Sequence, residues 1–340
     1  IEKLGLSAYF LVVWDVMDYA ERNGIPAQGR GSAANSIVAY LLGITRIDPI
    51  RNKLFLGRFL NEEMSSVPDI DIDVSTAHRE KLIQYVYAKY KPEHVAMVCT
   101  YVTFQAKNAI REVGKALGMP PDLIDKMAKS VSMYDAKVIE QDLAGLKEFE
   151  SYFTSAPWQQ FISLCREIAD FPRHLSIHNG GMIISSRTLS EIVPLEKATM
   201  PGRIVCQWDK DDIADSGLIK VDLLGLRMLS LIHEACQLAE ENHETKLDLD
   251  RLPLDDREVY DTICRGDTIG VFQVESRAQL QTLPQTKPHS IEDLTIEVAL
   301  IRPGPLQGDM VHPYIRRKNH LEKVTYLHPK LKPILEETLG

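Results

Sequence analysis

Cysteine is scarce and scattered: five in 340 residues (Cys99, Cys165, Cys206, Cys236, Cys264), with no Cys-x-x-Cys pair. That spacing excludes a zinc ribbon or a disulfide framework and leaves reduced, mostly buried thiols as the expectation. Long apolar runs are missing too. The longest, Tyr9 to Trp14 and Ile37 to Leu42, fall far short of the ~20 residues that cross a bilayer. No basic segment with a cleavage site opens the chain, so a cytoplasmic location is expected. Excess positive charge is also absent. A net charge of −9 argues against a surface that coats nucleic acid, though it leaves room for a local basic cleft. Internal repeats and low-complexity tracts are lacking. Opening on Ile1 and stopping at Thr338-Leu339-Gly340, the sequence is expected to be part of a longer protein. With 44% apolar and 26% charged residues, it is otherwise ordinary globular material for two or three domains.

Against that background one stretch stands out, Val67-Pro68-Asp69-Ile70-Asp71-Ile72-Asp73-Val74. Side chains alternate along a strand at about 3.3 Å per residue, so Asp69, Asp71 and Asp73 would share a face at roughly 6–7 Å spacing. Ile70, Ile72 and Val74 would pack on a core, and Pro68 suits a strand's first position. Carboxylates held so close and half-buried need a cation, most economically a divalent metal. An EF-hand loop is the first rival, with Glu80 in its twelfth position, but Val74 stands where that loop needs glycine. A solvated edge strand is the second, and the scarcity of aspartate in strands weighs against it.

Upstream, Leu6 to Arg22 has helical apolar spacing and ends at Asn23-Gly24. Gln28-Gly29-Arg30-Gly31-Ser32-Ala33-Ala34-Asn35-Ser36 then forms a small-residue turn before an apolar helix. Its glycines permit close backbone approach, Ser32 is a candidate cap, and Arg30 offers a bidentate donor to an anion. No Walker A pattern is present. Arg58 lies eleven residues ahead of Asp69.

Downstream, a helix is expected over Arg79 to Tyr90 and a short strand over Val95 to Val98. Thr103 to Leu117 reads as a helix with Ala106, Ile110, Val113 and Leu117 inward, and Lys107, Arg111 and Lys115 on another face. Such a stripe suits a phosphate backbone, or is simply a solvated face. Residues 120–172 show no strand alternation, which marks a helical insertion. Strand character returns at Gly181 to Ser185, at Ile204 to Trp208, and at Gly217 to Leu226, where Asp222 interrupts an apolar run. A buried charge there requires a partner: Lys220 two residues back, or a metal shared with Asp69 and Asp71. Helices over Leu226 to Glu241, over Asp255 to Cys264 and from Ser290 to Ile301, with a strand over Gly270 to Val274, complete the expectation. The final stretch, with Arg316, Arg317, Lys318, Lys323, Lys330 and Lys332, is the most basic.

Carboxylates from two strands, an anion site at a helix start and flanking basic side chains fit two-metal nucleotidyl transfer, in which two ions ~3.5–4 Å apart clamp the attacking and leaving oxygens. A metal-dependent nuclease or a non-catalytic DNA-binding module would use parts of the same set. The sequence resembles the bacterial C-family DNA polymerases, the polymerase III alpha subunit and its relatives, over essentially its whole length. The resemblance rests on Gly29-Arg30-Gly31-Ser32, Pro68-Asp69-Ile70-Asp71-Ile72-Asp73, Lys220-Val221-Asp222-Leu223-Leu224-Gly225-Leu226, Gly270-Val271-Phe272-Gln273-Val274-Glu275-Ser276-Arg277 and Arg302-Pro303-Gly304-Pro305-Leu306. The turn at Gln28 to Ser36 and the segment Gln307 to Tyr314 look closer to the error-prone, damage-tolerant branch than to the replicative one.

By that resemblance Asp69, Asp71 and Asp222 correspond to the catalytic metal-binding triad, with Asp73 supporting. Arg30, Gly31 and Ser32 fall on a triphosphate turn, and Arg58, Lys220 and Arg302 are further nucleotide contacts. The implied architecture is an α/β palm of the polymerase-beta-like nucleotidyltransferase type (1–100 and 174–226), a helical thumb (101–173) and a mostly helical opening part of the fingers (227–340). Two Mg2+ ions, with Mn2+ as the alternative, primer-template DNA, dNTP, and a sliding clamp and accessory proteins bound through regions outside this chain are implied as well. Family members often carry an aromatic residue after the third aspartate, where this chain has Val74-Ser75. With its fingers truncated, the chain alone is expected to extend a primer poorly.

Overall fold

Apolar alternation lays down the strands of a seven-stranded mixed sheet. The computed structural model describes residues 1–61, 68–132, 134–144, 146, 149, 152, 155–244, 246–308 and 310–340; Val67 and Asp309, both in motifs singled out above, lie outside them. In chain order the elements begin with α1 (Ser7–Arg22), β1 (Ala27–Arg30), α2 (Ile37–Leu41), β2 (Asp71–Ser75), α3 (Arg79–Tyr90) and β3 (Val95–Thr103). Then come α4 (Ala106–Ala116), α5 (Pro121–Ser130), α6 (Ile139–Ala144), α7 (Ala156–Glu167), β4 (Pro172–Ile184), β5 (Leu195–Lys197), β6 (Ile204–Cys206), α8 (Lys210–Asp215) and β7 (Lys220–Leu226). The remainder is helical: α9 (Arg227–His243), α10 (Arg257–Cys264), α11 (Arg277–Thr286), α12 (Ile291–Leu300), α13 (Pro303–Gln307), α14 (Val311–Lys318) and α15 (Lys332–Leu335). Two compact units divide the chain, Ile1–Glu234 and Ala235–Gly340.

In the first unit the strands run in the order β1-β2-β7-β4-β3-β6-β5. β2 and β7 are parallel, so the chain must cross over between them, and it does so through everything from residue 76 to 219. One sheet face carries Ile72, Val74, Met97, Met182, Val221 and Leu223 against Tyr9, Phe10 and Val13 of α1 and Leu82, Ile83 and Val86 of α3, in one buried cluster. A second cluster joins Ala96, Val98, Ile183 and Cys206 to Ile213 of α8. The insertion between β3 and β4 has its own core, with Ile110, Met127, Phe161 and Cys165 buried.

The second unit packs Tyr260, Ile263, Val274 and Leu283 together. Its helix starts follow from short polar side chains: Asp256 caps α10, Ser276 and Gln279 form a capping box on α11, and Ser290 accepts the Asp293 N–H at 3.2 Å on α12.

Several sequence expectations are corrected. Strands β3 and β4 run well past the expected Val95–Val98 and Gly181–Ser185, pairing from Cys99↔Ile177 to Thr103↔Pro172 as a ribbon whose side chains are mostly solvated. A strand with both faces wet leaves little apolar signal. Gly270 to Val274 is no strand, because positive φ at Gly270 (82°) and Gln273 (66°) turns the chain, and Thr268 Oγ1 closes the turn on the Val274 carbonyl. The cap of α2 is Ser36, which accepts the Ala39 N–H at 3.2 Å, while Ser32 sits inside a 3-10 turn over Gly31–Asn35. Helix α8 was not foreseen. Among the described residues no helix is long and apolar enough to cross a membrane.

Candidate active site

The acidic stretch enters the sheet at Asp71, with Asp69 just ahead of β2, and parallel pairing sets Asp71 directly opposite Asp222. Register partners point to the same face, so two carboxylates from distant parts of the sequence are neighbours. Ile70 and Ile72, on the other face, are buried at 1% and 0% exposure and anchor the acids to the core. Asp69 joins them through Lys220, whose Nζ lies 2.9 Å from Asp222 Oδ2 and 3.5 Å from Asp69 Oδ2.

Charge where β2 meets β7 is only partly compensated. Burial, then repulsion by Asp222, raises the Asp71 carboxyl above the usual range, with Arg30 pulling the other way. Asp73 is raised by burial as well, against the Arg30 charge. The Arg30 Nε stands 3.3 Å from Asp73 Oδ1 and 3.8 Å from Asp71 Oδ2. For Lys220, burial would lower the pKa, but the hydrogen bond and charge of Asp222, with the charge of Asp69, outweigh it and the net shift is upward.

The other Asp222 oxygen, Oδ1, is buried and has no hydrogen-bond donor among the described residues. His178 Nδ1 approaches to 3.7 Å but accepts the Gly181 N–H at 2.8 Å and the Gly180 N–H at 3.3 Å, so a lone pair points there and the ring proton belongs on Nε2. The two acceptors stand 3.7 Å apart. A side chain at 181 would close that space, since a Cβ there would stand 3.1 Å from Oδ1 and 2.9 Å from Nδ1. Arg79 holds the rim from behind, its Nε donating to the Leu223 carbonyl at 2.6 Å and its Nη2 to that of Asn179.

Beside the acids a cavity of about 200 Å³ is lined by Asp69, Lys210, Asp211, Ile213, Leu218 and Lys220. Lys210 was missed in the sequence; the Asp209/Asp212 capping box that starts α8 was the available signal. Among the described residues no three His, Cys, Asp or Glu side chains are already drawn to one point as ligands of an ion. The donor set nonetheless fits a hard divalent cation: carboxylate oxygens, one of them buried and orphaned.

The remaining candidates are dispersed. Gly31 (φ 70°) and Ser32 follow Arg30 and are exposed. Arg58 is exposed in a 3-10 turn over Leu56–Arg58. Arg302, in the second unit, donates from Nε to the Val298 carbonyl at 3.1 Å. Of the stripe on α4, Lys107 is exposed, Arg111 pairs with Asp125 at 3.0 Å and Lys115 with Glu112 at 3.4 Å.

Comparison with known proteins turns this geometry into a family assignment. Residues 1–225 match the family model described as the bacterial DNA polymerase III alpha NTPase domain, and residues 228–340 match the bacterial DNA polymerase III alpha subunit finger domain. The chain belongs to the bacterial DNA polymerase III alpha family. Among curated relatives of this family, the error-prone DNA polymerase of Anaeromyxobacter dehalogenans is 46% identical across 100% of the chain, which covers 31% of that protein. Those of Mycobacterium tuberculosis and Nocardia farcinica are each 47% identical across the whole chain, covering 30% and 29% of their lengths. The chain thus spans about a third of the length of these polymerase III alpha relatives.

Proposed function

We propose that this chain carries the nucleotidyl-transfer centre of a DNA-templated DNA polymerase working in error-prone, translesion synthesis. The observation that supports this most is the pairing of Asp71 with Asp222 across β2 and β7, with Asp222 Oδ1 left without a donor among the described residues. Family relatives named error-prone DNA polymerase favour that branch over the replicative one.

In this reading Asp69, Asp71 and Asp222 would hold two Mg2+ ions, with Mn2+ as the alternative. Bound there, such ions acidify a primer 3′-hydroxyl and neutralise a triphosphate. The 3′-oxygen bonds to the α-phosphorus as the bond to pyrophosphate breaks. Asp71 must be ionised for this, against the burial and the Asp222 charge that raise its pKa. Lys220, which neutralises Asp69 and Asp222, is placed to offer its charge to a phosphate brought beside those carboxylates. Arg30 does the same from the Asp73 side, with the Gly31-Ser32 turn offering backbone donors. Asp73 supports the site by holding Arg30, and Arg58 and Arg302 contact nucleotide.

The architecture proposed is a polymerase-beta-like palm over 1–100 and 174–226, a thumb over 101–173 and fingers from 227. Lys107, Arg111 and Lys115 track the primer-template backbone. Sliding clamp and accessory proteins bind elsewhere in the full-length protein, and the setting is the cytoplasm. In the full-length protein Asp71→Ala is expected to lower primer extension and pyrophosphate release by roughly a thousandfold while leaving DNA affinity intact. Unchanged synthesis would overturn the reading in favour of a DNA-binding module, and metal-dependent nucleotide release without pyrophosphate would favour a nuclease.

A further inference from the structure

We propose that Tyr9 is a positioning residue for the acidic site, its hydroxyl filling the point where β2 and β7 part and fixing the peptide between Asp69 and Asp71 against the Lys220–Asp222 strand. This inference rests on the polymerase reading above. Tyr9 lies on α1, in a helix whose apolar spacing reads as plain core, and its side chain is fully buried. Its oxygen accepts the Ile70 N–H at 2.9 Å and donates to the Lys220 carbonyl at 3.4 Å.

The register explains why a hydroxyl belongs there. Parallel pairing of β2 with β7 begins at Asp71↔Asp222. Continued by one residue, it would set Ile70 opposite Val221, and the slanted bond of a parallel ladder would run from the Ile70 N–H to the Lys220 carbonyl. Those are the two groups that Tyr9 joins. The strands therefore separate by one inserted oxygen, which lets Asp69 diverge from Asp71 while both stay tied to β7. Nothing else in the side chain is polar, so the hydroxyl accounts for the choice of tyrosine over phenylalanine. Burial, reinforced by the charges of Asp69, Asp222 and Asp71, drives its pKa far upward, so the proton that the Lys220 carbonyl needs stays in place at any working pH.

Tyr9→Phe in the full-length protein keeps the ring and removes only the link. Binding of Mn2+ in the absence of DNA and dNTP, followed by electron paramagnetic resonance of the free ion, is expected to weaken by about tenfold. The Mg2+ concentration for half-maximal extension should rise with it, while primer-template affinity is unchanged. Wild-type Mn2+ binding and Mg2+ dependence in Tyr9→Phe would overturn the proposal. Phe10→Leu, in the same buried cluster, controls for loosened packing: it should lower thermal stability without moving the Mn2+ isotherm, and an equal shift there would also overturn it. Asp222→Asn separates the two levels of inference. If it retains synthesis, the polymerase reading falls and takes the Tyr9 role with it; if it abolishes synthesis while Tyr9→Phe behaves as wild type, only the Tyr9 role is lost.

Discussion

Two ion pairs of nearly equal length occupy very different ground. Lys220 and Asp222 meet at 2.9 Å with side chains 12% and 8% exposed; Arg111 and Asp125 meet at 3.0 Å with side chains 43% and 48% exposed. Distance alone would rank them together. Burial separates them, because removing one partner of a buried pair strands a charge that water cannot reach, whereas a surface pair exchanges protein contact for solvent at little net cost. Where β2 pairs with β7, Asp69, Asp71, Asp73 and Asp222 outnumber Lys220 and Arg30, and among the described residues Asp222 Oδ1 has no donor. On the helical insertion, Arg111 and Lys129 meet Asp125, Lys137 meets Asp170 and Arg166 meets Glu140. Uncompensated charge at β2 and β7 is the feature on which the proposed metal site rests.

The largest expected effect breaks the buried pair. Lys220→Ala leaves Asp222 and Asp69 without their cation, and removal of such a partner costs about 3 kcal/mol, or about a hundredfold faster hydrogen exchange over β2 and β7 in EDTA. Millimolar Mg2+ should restore part of the protection, since an ion replaces the ammonium. Exchange no faster than in the Arg111 variant would show that the two pairs are equivalent after all.

Much of this contrast was legible in the sequence. Alternating aspartate and isoleucine fixes which face of β2 is acidic, because the strand period is two, and Asp222 declares itself as a charge inside an apolar run. What could not be read is that Lys220 takes only one Asp222 oxygen, since the spacing of the two residues does not say which oxygen is left over. Tyr9 was invisible for a related reason: at an apolar helical position its ring satisfies the pattern and hides the hydroxyl. Lys107, Arg111 and Lys115 were visible as a periodic stripe, but the Arg111–Asp125 pair depends on how α4 packs on α5, and the Lys115–Glu112 pair within α4 on which rotamers close. The Gly270–Val274 run misleads because a left-handed Gln273 has no compositional mark.

A smaller effect is expected on the surface side. Arg111→Ala in the full-length protein should change hydrogen exchange of α4 by less than about twofold. If the stripe touches DNA, the same variant lowers the salt dependence of primer-template binding by about one unit of slope in log Kd against log salt. An unchanged slope would reduce Arg111 to a tie between helices and leave the acidic edge as the functional side of the comparison.

The finest contrast is one of sign. Burial and Asp222 hold the Asp71 carboxyl above its ordinary pKa, so the folded protein favours its neutral form; that stability is present in acid and is lost as pH rises through the raised pKa. Asp71→Asn should therefore melt above wild type near pH 8 in EDTA, with the difference closing below about pH 4. Asp125 is the reverse case. Hydrogen bonding to Lys129, with Arg111 beside it, holds its pKa down, so its ionised form favours the fold, and Asp125→Asn should melt slightly below wild type at neutral pH and converge with it in acid. Opposite signs for one substitution at two sites would distinguish a carboxylate kept for a ligand from one kept for its neighbours. Equal signs would mean that Asp71 is already neutralised by Arg30 and Lys220, and that the sheet edge does not store the charge a metal would relieve.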